Sequence, residues 1–141
     1  MLPFCGYNMG DYFAHWLSFA QRTDRAKLPK IYFVNWFRKD DGGKWLWPGY
    51  GENSRVLKWI CERAEGKSQA QKTAIGNLPT ADALDLSGLN MPAEDLQQLL
   101  AVDGAGWKAE VEDVAANYAR LGSHLPKALT EQLDSLRKRL A

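Results

Sequence analysis

The sequence predicts an α+β fold: a helix-rich piece in which a β-hairpin is followed by a helix, with an antiparallel helix pair at the C-terminal end. Three observations carry this. Two aromatic-rich runs within residues 31–47 flank Asp41-Gly42-Gly43, a hairpin signal. Residues 54–63 place apolar side chains at helical spacing, and residues 106–140 do so over two long stripes. With 141 residues the chain is long enough for one domain with its own core.

Residues 1–10 read as a loop or short extended piece, restrained by Pro3 and bent at Gly6 and Gly10. From Asp11 to about Gln21, Phe13, Trp16, Leu17 and Ala20 fall at helical spacing with Tyr12 beside them. Asp11 is the cap or lies in the first turn, where its charge is favourable. His15 on this helix is either a pocket residue or a packed, half-exposed one. The polar run from Gln21 to Lys27, with Pro29 behind it, ends the helix.

Ile31 to Phe37 reads as a strand with apolar residues on both faces, interrupted by Asn35, which is either satisfied by backbone groups or aimed at a ligand. Arg38 to Gly43 is a polar connection, and Lys44 to Trp47 is the returning strand, closed by Pro48 and Gly49. Tyr50 to Asn53 turn the chain into a helix from about Ser54 to Arg63. Asn53 is its expected cap, Val56, Leu57 and Ile60 point inward, and Trp59 or Cys61 lies at the margin.

Residues 72–90 read as a wrapping segment laid down by Ile75, Leu78, Leu84, Leu86 and Leu89, with one short helix from Ala81 to Leu84. Pro92 starts a short helix through about Ala101, with Leu96, Leu99 and Leu100 inward. The helix from about Gly106 to Leu121 carries Trp107, Val111, Val114, Tyr118 and Leu121, and Gly122 stops it. The last helix, about Pro126 to Leu140, carries Leu129, Leu133, Leu136 and Leu140, with Arg137, Lys138 and Arg139 at the favourable carboxyl end.

Eighteen basic and seventeen acidic residues leave a net charge of +1, which argues against long-range attraction to polyanions and so against a nucleic-acid partner. No apolar run approaches a membrane span, and the first residues lack the pattern of a signal peptide. Cys5 and Cys61 fit no metal spacing, so reduced thiols and a cytoplasmic location are expected. The structured-looking opening, MLPFCGYNMG, suggests that something precedes it in a longer chain. The sequence has no phosphate-binding Gly-rich loop ending in Gly-Lys-Ser/Thr, no H-x-x-x-H or C-x-x-C, and no nucleophile elbow. Its only imidazoles, His15 and His124, supply a triad or metal cluster poorly, and Glu110, Glu112 and Asp113 lie on a solvated helix face.

What remains is recognition. Residues 31–60 hold four of the six tryptophans: Trp36, Trp45, Trp47 and Trp59. Phe37, Trp45 and Tyr50 could enclose a planar ring by stacking, and Asn53 could supply in-plane donors and acceptors. Arg38 and Lys39 could approach phosphate or simply solvate a hairpin tip. An aromatic core explains the same rings, and the rings alone do not choose.

PFCGYNMGDYFAHWL (Pro3 to Leu17), PKIYFVNWFRKDDGGKWLWPGYGENSRVLKWI (Pro29 to Ile60) and KAEVEDV (Lys108 to Val114) resemble the carboxyl-terminal part of the GTP-dependent phosphoenolpyruvate carboxykinases. The middle string is long and specific to that family. The resemblance implies that residues 1–141 are a single piece, the C-terminal portion of the nucleotide-binding domain of a larger carboxykinase, with a guanine-pocket segment at 31–60 and C-terminal helices at 92–140.

It implies a gluconeogenic parent enzyme that converts oxaloacetate and GTP to phosphoenolpyruvate, CO2 and GDP with Mn2+ and Mg2+. Phe37 and Tyr50 match the two sides of the guanine sandwich, Trp45 a third aromatic, Trp36 a neighbour of the first ring, and Asn53 the asparagine that reads the base edge. Tyr50 and Trp45 stand where phenylalanine is common in the family. Phosphate loop, metal ligands, reactive cysteine and substrate-binding arginines are implied to lie outside this chain, so the isolated piece is expected to be inactive. The implied partners are a small-molecule nucleotide and the remainder of a monomeric carboxykinase chain. The rival expectation is a stand-alone helical interaction module with a structural aromatic core.

Overall fold

A computed structural model describes residues 2–141, so Met1 lies outside the described residues. In chain order the regular elements are α1 (Met9–Ser18), α2 (Asn53–Ala64), the strands β1 (Gln71–Thr73) and β2 (Gly76–Leu78), α3 (Ala93–Leu100), α4 (Gly104–Ala119) and α5 (Lys127–Leu140). Short 3-10 turns fill several connections. The architecture is helix-rich with one small antiparallel hairpin and a C-terminal pair of long helices, the expected fold class. The chain divides into two compact units, Met1–Pro29 with Asp103–Ala141, and Lys30–Val102.

In the first unit α4 packs on α5. Val111 and Leu133 are their buried residues, and the Arg137 guanidinium donates to Glu112 Oε1 at 3.1 Å, a cross-link that fits an antiparallel pair. The α4 amino end is capped by Asp103, whose Oδ1 accepts from Gly106 N at 2.9 Å. Gly122, at φ 56°, follows the end of α4 as expected of a helix stop. Helix α1 starts two residues earlier than its apolar period suggests, because Asn8 rather than Asp11 is the cap: Asn8 Oδ1 accepts from Gly10 N at 2.7 Å. Asp11 lies in the first turn.

The start of α1 docks on the α4–α5 connection. His124 Nδ1 lies 2.8 Å from Asp11 Oδ1, and Asn8 Nδ2 donates to Leu121 O at 3.5 Å. This approach needs glycine, since a Cβ on Gly10 would stand 2.3 Å from the His124 carbonyl oxygen.

The second unit has its core in Leu46, Trp47, Trp59 and Leu84. Ile31 to Phe37 differs from expectation: it is not a strand of any sheet. Its burial does alternate in steps of two, with Tyr32, Val34 and Trp36 half-buried while Ile31 and Phe33 are 93% and 94% exposed. That is the signature of extended backbone. Among the described residues, however, the backbone groups of Ile31 to Trp36 have no hydrogen-bond partner.

The returning segment meets the chain only beyond Phe37, through an isolated bridge between Lys39 and Trp45 and a Leu46 N to Arg38 O bond of 3.0 Å. Asn35 is satisfied locally, its Oδ1 accepting from Phe37 N at 2.9 Å. The hairpin that does form lies inside the segment read as wrapping: β1 and β2 pair antiparallel in the register Gln71↔Leu78, Lys72↔Asn77, Thr73↔Gly76. Its turn, Ala74-Ile75, lacks the Asn-Gly or Asp-Gly signature of tight hairpins, which hides it in the sequence. Residues 81–83 form a turn and not a short helix.

Trp59 is a core residue and not marginal, while Leu57 is exposed. Arg55 Nη1 donates to Asp85 O at 2.6 Å and Lys58 Nζ lies 3.1 Å from Asp85 Oδ2, fastening α2 to the loop before α3.

Three measurements check this packing. Gly10→Ala forces the His124 carbonyl away and is expected to lower the unfolding free energy by about 1–3 kcal/mol in urea titration. Leu133→Ala is expected to cost about 2–5 kcal/mol in the same assay. The Ser87 hydroxyl first, then Lys58, hold the Asp85 carboxyl well below the usual carboxylate range. The stability from Asp85 is therefore present above its unfolded value and is lost as pH falls towards its folded one, so Asp85→Asn should flatten the acid side of the stability–pH profile.

Candidate functional site

The aromatic residues singled out by the sequence divide by exposure. Trp36, half-buried, lines a small apolar cleft with Val34, Trp47, Val56, Leu84 and the α3 leucines Leu96, Leu99 and Leu100. Trp47 and Trp59 are buried. By contrast Phe37 is 73% exposed, Trp45 50% and Tyr50 99%. Phe37 and Trp45 meet edge to face, with centroids 5.9 Å apart and planes at 66°. This arrangement leaves ring surface open.

Tyr50 sits at the elbow that leads into α2. Its φ is 46°, and it is the one non-glycine residue at positive φ among the described residues. Gly49 before it has φ 76°. A bulky side chain in this region is strained, and its ring recovers almost no packing at 99% exposure. The elbow thus projects a ring into solvent from a backbone anchored by a helix.

Asn53 begins α2 as a helical residue at φ −59° instead of capping it, and Glu52 ahead of it makes no side-chain cap bond. Its side chain is used differently: Oδ1 accepts from the Trp47 indole N–H at 2.9 Å. Of the two basic residues after the aromatic run, Arg38 is committed to structure, since its Nη1 donates to Leu99 O at 3.1 Å and Ala101 O at 3.3 Å at the end of α3. Lys39 Nζ lies 4.1 Å from the centroid of the Trp45 ring, a cation–π contact. Lys44 Nζ pairs with Asp95 Oδ2 at 2.9 Å.

Hydrogen bonding to Asp95 first, and then its charge, raise the Lys44 pKa. Among the described residues no group of three or more His, Cys, Asp or Glu stands close enough to hold a metal ion. Phe37, Trp45 and Tyr50 offer exposed ring faces and Asn53 an amide, groups of the kind that recognise a flat heterocycle; the structure brings Phe37 against Trp45 and Asn53 against Trp47. The aromatic run showed where to look. What its pattern did not reveal is the Trp47–Asn53 bond, since an Asn before a helix ordinarily signals a cap.

Comparison with known proteins gives a consistent result. The family model described as the phosphoenolpyruvate carboxykinase C-terminal P-loop domain matches residues 1–139. Among curated relatives, the phosphoenolpyruvate carboxykinase [GTP] of Neocallimastix frontalis is 61% identical over 141 residues. The protein of that name from Chlamydia abortus is 54% identical, and that from Treponema pallidum 50%, over the same length. Each alignment covers 99% of this chain and 23% of the relative, so the chain spans about a quarter of the length of the relatives it matches.

The strained elbow has a measurable consequence. Tyr50→Gly removes the positive-φ penalty at little loss of packing, and is expected to raise the unfolding free energy by about 1 kcal/mol in denaturant titration. A decrease would show that the ring is held by contacts.

Proposed function

Since the chain belongs to the GTP-dependent phosphoenolpyruvate carboxykinase family through that family's C-terminal P-loop domain, we propose that it supplies the guanine-binding pocket of an enzyme that converts oxaloacetate and GTP to phosphoenolpyruvate, CO2 and GDP in gluconeogenesis. The observation that supports the pocket is the exposure of Phe37, Trp45 and Tyr50 on the same segment as an Asn53 held by Trp47.

In this reading Phe37 and Tyr50 stack on the two faces of guanine, Trp45 closes the side, Trp36 supports Phe37 from the cleft, and Asn53 reads the base edge. On the same reading the triphosphate, oxaloacetate, Mn2+ and Mg2+ are held by the remainder of a longer, monomeric polypeptide, as suits a chain that spans about a quarter of the length of its relatives. Phosphoryl transfer depends chiefly on positioning and electrostatics, and this chain contributes by anchoring one end of the nucleotide. We place the enzyme in the cytoplasm, and no helix among the described residues is long and apolar enough to cross a membrane.

The test is nucleotide binding by the longer polypeptide, followed through tryptophan fluorescence. Phe37→Ala and Tyr50→Ala are each expected to weaken GTP binding by about tenfold, the scale of a lost stacking contact with its burial, while unfolding stays cooperative. Unchanged GTP affinity in both variants would remove the pocket assignment.

A further inference from the structure

The bond between Trp47 and Asn53 fixes more than packing. An indole N–H only donates, so the atom facing it at 2.9 Å is the amide oxygen, and the amide NH2 is turned away. Trp47 is 5% exposed and is held in the core, so its donor cannot swing out to accept a rotated amide. The NH2 group has no hydrogen-bond partner among the described residues. Because no buried side-chain nitrogen or oxygen lacks a partner there, this nitrogen reaches solvent. It does so three residues along the chain from the projecting ring of Tyr50.

We propose that Trp47 is a positioning residue for base selection: by engaging the Asn53 oxygen it presents two amide donors outward and selects a base edge made of acceptors. Guanine offers O6 and N7, both acceptors, whereas adenine places an N6 amino donor where guanine has O6. An adenine could be matched only by turning the amide over, which would leave the buried indole N–H facing donors. Trp47 needs no contact with the nucleotide for this role. The assignment rests on the guanine-pocket reading above and adds to it the cause of the preference for guanine over adenine.

The experiment measures the affinities of the longer polypeptide for GTP and for ATP, in the wild type and in Trp47→Phe, Asn53→Asp and Tyr50→Ala. Trp47→Phe keeps an aromatic body in the core and deletes the donor. It is expected to lower the GTP:ATP affinity ratio by about tenfold, within the range for a discriminating base contact. Asn53→Asp keeps an oxygen for the indole and deletes the outward donors, and is expected to weaken GTP selectively.

An unchanged GTP:ATP affinity ratio in Trp47→Phe, or equal changes for the two nucleotides in Asn53→Asp, with Tyr50→Ala still impairing GTP, would overturn this assignment and leave the pocket standing. Full GTP affinity in Tyr50→Ala and in the Phe37→Ala variant described above would overturn the pocket, and the assignment with it.

Discussion

The indole of Trp47 has an apolar body and a single N–H, and burial requires that both be satisfied at once. The ring lines the cleft shared by Val34, Trp36, Val56 and Leu84, and its N–H goes to Asn53 at 2.9 Å. Moving the first turn of α2 would therefore strand a donor in the core. The same device recurs further along the helix, where the Trp59 indole donates to Gln69 O at 3.2 Å across the turn that follows α2. One indole holds the helix start and the other holds the chain after its end, so α2 is fixed against sliding as well as against lifting. The projecting elbow before α2 inherits that rigidity.

Elements whose cause is local were legible in the sequence. The stripes of Val111, Val114 and Tyr118 and of Leu129, Leu133 and Leu136 specify α4 and α5 by period alone, and Gly122 marks the break between them. Helix α2 was placed to within a residue at each end for the same reason. Strands are different, because a ladder is made between segments. Ile31 to Phe37 has the residues of a strand and the alternating burial of one, yet no described neighbour pairs with it, while Gln71 to Leu78 has little strand character and finds its partner across a two-residue turn.

For the site, the sequence supplied the cast and the structure supplied the parts. Composition could not sort tryptophans into Trp47 and Trp59 in the core, Trp36 in the cleft wall and Trp45 at the surface, since all are large, flat and apolar. Nor could it show that Arg38 is spent on the carbonyls at the end of α3, or that Lys39 lies over Trp45. These are long-range geometric facts. Asn53 is the sharpest instance: its position before a helix suggested a backbone cap, and a side chain six residues earlier claims its oxygen instead.

The first unit is assembled from the two ends of the described chain, while the second is one uninterrupted stretch. The groups that helix α1 docks on, Leu121 and His124, are synthesised only after the whole second unit has been made. Closing so long a loop adds little to the equilibrium cost, because that cost grows only logarithmically with length. Its effect falls on timing: contacts distant in sequence form slowly. On a ribosome the stretch from Lys30 to Val102 is complete while α1 is still without its partner, so the first unit closes only after the second has been made.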